Sequence, residues 1–145
     1  MASDLSILMG GDIIVTESDI NNNGVVLHIS VGKVSFLLTA DIMWEAEFEL
    51  INHRADLAST VLKVAHHGSY TSTTQEFLAV VNPKIVVILV GEDNPFGHPS
   101  GKVMVRLEEK LGSENIYLTY DKTTDEHGTI EFITDGKRLW VKTGR

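Results

Sequence analysis

The chain has no cysteine among its 145 residues. Disulfides and thiolate metal sites are therefore excluded, and any bound metal must sit on histidine, aspartate or glutamate. Basic residues are scarce. Twelve Lys and Arg against twenty Asp and Glu leave a net charge of -8, which rules out a large positive field for drawing in nucleic acid from a distance and leaves only a local DNA contact open. No run of about eighteen apolar residues occurs, and the opening "MASDLSILMGG" lacks the basic segment and long apolar core of a signal peptide. The chain reads as soluble and cytoplasmic. Nucleotide-binding signatures are also missing, with no Walker sequence and no GxGxxG.

What is present suits one domain over residues 1–145, long enough to bury roughly two thirds of its unfolded surface. "GDIIVTESD" alternates weakly, as an edge strand does, and "TESDINNNG" reads as polar punctuation. "GVVLHISVGKVSFLLTAD" is two apolar runs around Val31-Gly32-Lys33, a hairpin pattern. After Asp41 the period lengthens: Ile42, Trp44, Ala46, Phe48, Leu50 and Ile51 suit a helix with acidic early turns. A second buried strand spans Thr60 to Ala65. "TSTTQEFLAVVNP" opens on a capping-box match, Thr73 to Glu76, and carries an apolar stripe of Phe77, Leu78 and Val81.

"KIVVILVG" has the near-continuous apolar character of a strand covered on both faces. Ser100 and Gly112 bracket a further helix as N-cap and C-terminal stop. Three short strands follow, "NIYLTY", "GTIEFIT" and "KRLWVK", the last two joined at Asp135-Gly136. Strands interleaved with helices and closed by an antiparallel hairpin give an α/β sheet of mixed direction.

Three apolar strands each deliver a candidate ligand at the carboxyl end: Asp41 after "SFLLTA", His66 and His67 after "VLKVA", and His98 in the loop after "KIVVILV". Ligands of open α/β sheets gather outside those ends. Singly, each residue has a plain structural reading. Asp41 suits a helix N-cap, the paired histidines a turn bonded to nearby carbonyls, and His98 before proline a fixed loop. Ser69 beside His67 offers a nucleophile and base without a nameable third member. His28, His53 and His127 receive no chemical role, and the hydroxyl-rich "GSYTSTT" is explained by helix capping.

Together, "NNNGVVLHISVGKVSFLLTADIMWEAEFEL", "ADLASTVLKVAHHGSYTSTTQEFLAVVNPKIVVILVGEDNPFGHP" and "VMVRLEEKLG" resemble the metallo-β-lactamase superfamily, nearest to the soluble hydrolase domain of ComEC-type competence DNA-uptake proteins. The likeness runs from about Asn21 to Glu131. It implies a mixed sheet with helices on one face, the second half of an αββα fold. It also implies that Asp41 in "LLTAD" is a metal-bridging ligand, with Ala40 where glycine is usual. A histidine of "HHGS" then completes one metal's shell, His66 first and His67 second, and His98 in "FGHP" contacts substrate or moves a proton. The implied ion is zinc or manganese.

The superfamily's main metal motif, HxHxDH or HxDxDH, does not occur in this chain. The chain thus resembles the carboxyl-side half of such a domain, with an incomplete site. A lone half exposes the inner face of its sheet, a larger apolar patch than soluble monomers tolerate, so a homodimer through that face is expected. Three functional readings follow: a metal-dependent hydrolase of phosphodiesters or other esters, a non-catalytic remnant with a structural or interaction role, and one piece of a split enzyme completed by a separate amino-terminal half.

Overall fold

The computed structural model describes residues 3–9 and 17–144. Its centre is a six-stranded mixed sheet. The strands run β1 (Ser3–Met9), β2 (Val25–Val31), β3 (Val34–Leu38), β4 (Val61–Lys63), β5 (Ile85–Ile88) and β6 (Ile116–Leu118), in that order across the sheet. The pairs β1–β2 and β2–β3 are antiparallel; β3 through β6 are mutually parallel. The hairpin expected around Gly32 is present, with Gly32 at φ 61 and packed against the backbone of Gly136. Glycine is needed at 32 both for the left-handed backbone and for that approach.

Three helices cross over between the parallel strands: α2 (Trp44–Asn52), α3 (Gln75–Val81) and α4 (Gly101–Leu111). Their apolar stripes meet one face of the sheet. Ala46 and Leu50 of α2, Phe77, Leu78 and Val81 of α3, and Val103 and Leu107 of α4 close on Val26, Leu37, Leu62, Val86 and Ile88 in one contiguous core. The class expected from the sequence, α/β with a mixed sheet and helices on one face, is the class observed.

Strand alternation puts Leu27, Ile29, Phe36, Leu38, Val61, Val87 and Tyr117 on the opposite face. Part of it is covered by the carboxyl-terminal hairpin of β9 (Thr129–Thr134) and β10 (Leu139–Gly144). Phe132 of β9 meets Phe36 and Tyr117 edge-on at 6.1 and 6.4 Å between centroids, and the Lys33 N–H donates to the Gly136 carbonyl at 2.7 Å. Leu27, Ile29 and Leu38 remain half-buried.

Several local expectations need correction. The strand read into "GDIIVTESD" falls largely on residues outside those described; β1 lies upstream of it, and Glu17–Asn22 form a short helix, α1, where punctuation was expected. The N-cap of α3 is Thr74, whose Oγ1 accepts from the Phe77 N–H, and not Thr73. Thr73 sits at φ 55 because the buried carboxylate of Glu47 accepts from the Thr73 and Thr74 N–H groups and from Thr74 Oγ1. A tertiary partner thus displaces the local cap by one residue. Ser100 and Gly112 do cap α4 as expected. A small extra hairpin, β7 (Tyr120–Asp121) and β8 (Glu126–His127), precedes β9.

Candidate metal site

The carboxyl ends of β3, β4 and β5 converge through backbone bonds. Thr39, just past β3, donates its hydroxyl to the Lys63 carbonyl at 2.6 Å, and the Ala40 carbonyl accepts from the His66 N–H at 3.1 Å. Ala40 adopts φ 47. That left-handed backbone is the physical reason a glycine suits this position. The turn sends Asp41 toward the histidine segment, so Asp41 does not cap α2; the cap is Met43, without a side-chain bond.

The histidine segment is a tight turn, Ala65–Gly68, with His66 at φ 48 and His67 at φ 55. Two adjacent non-glycine residues in the left-handed region cost of order 1 kcal/mol each and persist only when the surroundings fix them. The fixing contacts are clear. Gly68, at φ 81, lies so close to Pro99 that a Cβ there would come within 2.6 Å of the proline ring, and the Gly68 carbonyl accepts from the Ser100 N–H at 2.9 Å. The turn and the His98 loop are thereby fastened together.

Of the four expected site residues, Asp41 and His67 are brought face to face, with His67 Nε2 3.6 Å from Asp41 Oδ1. The other nitrogen of His67, Nδ1, lies 2.6 Å from the Leu89 carbonyl. A carbonyl can only accept, so Nδ1 carries a proton, and Nε2, the nitrogen that a neutral ring would leave free to ligate, faces the carboxylate. A ring N–H held by a backbone carbonyl, with the free nitrogen aimed at an anionic ligand, is the orientation metal-ligating histidines adopt. His66 lies beside this pair. Its Nδ1 is buried with no hydrogen-bond partner, and its ring stands 5.7 Å from that of His98. His98 stacks on Phe96 at 5.8 Å, and its carbonyl accepts from Asn94 Nδ2 at 2.6 Å.

Burial pushes the pKa of His66 down, with Asp41 opposing and His67 and Lys63 reinforcing; His98 is likewise pushed down by burial and by its histidine neighbours. Both rings are held toward the neutral form, which is the form that ligates.

Sequence reasoning missed Lys63. Its Nζ donates to the Ala40 carbonyl at 2.7 Å and lies 3.6 Å from Asp41 Oδ1, so an ammonium already neutralises part of the carboxylate. The signal available was a lysine at the end of an otherwise apolar strand. The Ser69 hydroxyl is buried and bonded to Thr71 Oγ1 at 2.9 Å, which removes the nucleophile reading. His28 is buried with Nε2 3.2 Å from the Ala58 carbonyl, and His53 caps the end of α2.

These features together bring Asp41, His66, His67 and Lys63 to one set of strand ends. The chain is 37% identical over 112 residues to ComE operon protein 3 of Bacillus subtilis. It is 42% identical over 103 residues to Recombination protein 2 of Haemophilus influenzae, and 34% identical over 115 residues to Competence protein ComA of Neisseria gonorrhoeae. The chain is a homologue of one segment of these proteins. The alignments cover 77%, 70% and 79% of it but only 14%, 13% and 16% of the relatives, so it spans roughly a seventh of their length. No protein-family model matches it. No helix among the described residues is long and apolar enough to cross a membrane.

Proposed function

We propose that this chain is the carboxyl-side portion of a metallo-β-lactamase-like hydrolase domain of the ComEC type, working in DNA uptake on phosphodiester or related ester substrates. The observation that carries the reading is the Asp41–His67 pair, with Nδ1 of His67 held by the Leu89 carbonyl so that Nε2 and a carboxylate oxygen face one another at 3.6 Å. The donors fit a divalent ion. Asp41 and His67 would hold zinc or manganese, and the partnerless Nδ1 of His66 is a further donor beside them that would have to turn toward the pair to ligate. Such an ion supplies an activated water and charge neutralisation. His98, stacked on Phe96 beside His66, is placed to orient substrate or hold a proton.

Two or three ligands make an incomplete shell, since stable zinc sites use three or four. In this proposal the remainder comes from a second copy packed on the half-covered sheet face, or from an amino-terminal half carrying the missing histidine motif. The non-catalytic reading has its own support in Lys63, whose ammonium already occupies one side of Asp41.

Zinc calorimetry and light-scattering mass on the chain and on an Asp41→Asn/His67→Ala variant separate these readings, together with hydrolysis of bis(4-nitrophenyl) phosphate. The hydrolase reading expects the variant to bind one zinc equivalent fewer per site and to lose any hydrolysis. Identical zinc stoichiometry in the two proteins overturns it and leaves the remnant.

A further inference from the structure

We propose that Glu92, Asp125 and His127 form a separate divalent-metal site, of the class that takes zinc or a similar transition ion, and that it pins the β7–β8 hairpin to the loop following β5. One ligand atom from each of the three residues lies within 4.8 Å of the others. His127 Nε2 is 3.1 Å from Glu92 Oε2. Ligands sharing one ion at bond lengths of about 2.0 to 2.2 Å stand about 3 to 4 Å apart, so the three groups need only small rotations to share one.

The arrangement has a common organiser. Tyr120, opposite His127 in the β7–β8 register, packs its ring against the imidazole at 4.7 Å and donates its hydroxyl to Asp125 Oδ1 at 3.2 Å. Two of the three ligands are therefore oriented by one side chain. Among the described residues no lysine or arginine lies within ion-pair distance of Glu92 or Asp125. A cation is what this cluster lacks.

An imidazole among the ligands selects against calcium and magnesium, which prefer oxygen alone, and favours zinc, copper or nickel. The Glu92 and His127 side chains are each 57% exposed, so water completes the shell and the ion exchanges freely with solvent. Glu92, Tyr120 and His98 also line one cavity of about 630 Å³. An ion on Glu92 and His127 therefore stiffens one wall of the same cavity that the His98 loop borders.

The test uses the tag-free chain in the Asp41→Asn/His67→Ala background, which removes the strand-end ligands and keeps the two sites distinguishable. Calorimetric titration with zinc alone is expected to show one equivalent per chain, abolished by a further His127→Ala substitution and weakened at least tenfold by Glu92→Gln. Zinc is also expected to raise the thermal midpoint of the background protein but not of its His127→Ala derivative. Both substitutions fall on exposed side chains, and circular dichroism verifies that the variants fold. If the background protein binds no zinc, or binds it unchanged after His127→Ala, Glu92 and His127 are an ion pair only and the proposal is overturned.

Discussion

The layer between helices and sheet and the rim at the strand ends are built by opposite means. In the layer, Phe77, Leu62, Leu37 and Ile88 are fully buried in apolar packing on regular backbone. On the rim, Ala40, His66, His67 and Thr73 all take left-handed backbone that their side chains disfavour, and polar clamps hold them there. Burial gives the layer its stability, and the rim draws on that stability to keep Asp41 and the histidines in place.

The contrast is sharpest at its apolar extreme. Phe77→Ala removes a ring with no exposed surface from the centre of the core and is expected to cost about 3 to 5 kcal/mol, measured by chemical denaturation. A loss under about 1 kcal/mol would mean that the layer is not the source of stability. The rim has an intermediate case in Glu47, the buried carboxylate that accepts from Thr73 and Thr74. Glu47→Ala strands two backbone donors and is expected to cost about 2 to 4 kcal/mol. Because the same bonds fix the loop following the histidine turn, amide signals of residues 66–74 should broaden or shift while those of β2 stay put.

The smallest effect concerns pH. Burial holds the His66 and His98 pKa values below the ordinary imidazole value. As pH falls below about 6.5 the unfolded chain takes up protons that the folded chain resists. The unfolded state then binds more protons, so the metal-free protein should lose stability from about pH 7 toward about pH 5. A His66→Gln/His98→Gln variant should show a flatter profile over that range in thermal melts with chelator present.

Much of the layer was legible because its signals are local and periodic. The β2–β3 hairpin, the apolar stripe of α3, the Ser100 and Gly112 caps and the covered strand β5 each follow from spacing within a few residues. The strand-end rule likewise placed Asp41 and the paired histidines on one rim. Less visible was anything decided by a distant partner. Thr74 displaces Thr73 as a cap because Glu47 reaches across from α2. His67, not His66, meets Asp41 because the Leu89 carbonyl holds its ring, and a backbone acceptor leaves no trace in composition. Lys63 reads as one polar residue in an apolar strand until the fold turns it onto Asp41. His127 is exposed, as its polar surroundings suggested, but its contact with Glu92 was not legible because Glu92 lies a crossover helix and two strands away along the chain.

The Gly68–Pro99 contact makes the paired-histidine turn and the His98 loop a single mechanical piece. A shift of the His98–Pro99 backbone would press on the turn that carries His66 and His67, so the two loops are geared to each other. A sequence change in one of these loops is therefore expected to be accompanied by a change in the other.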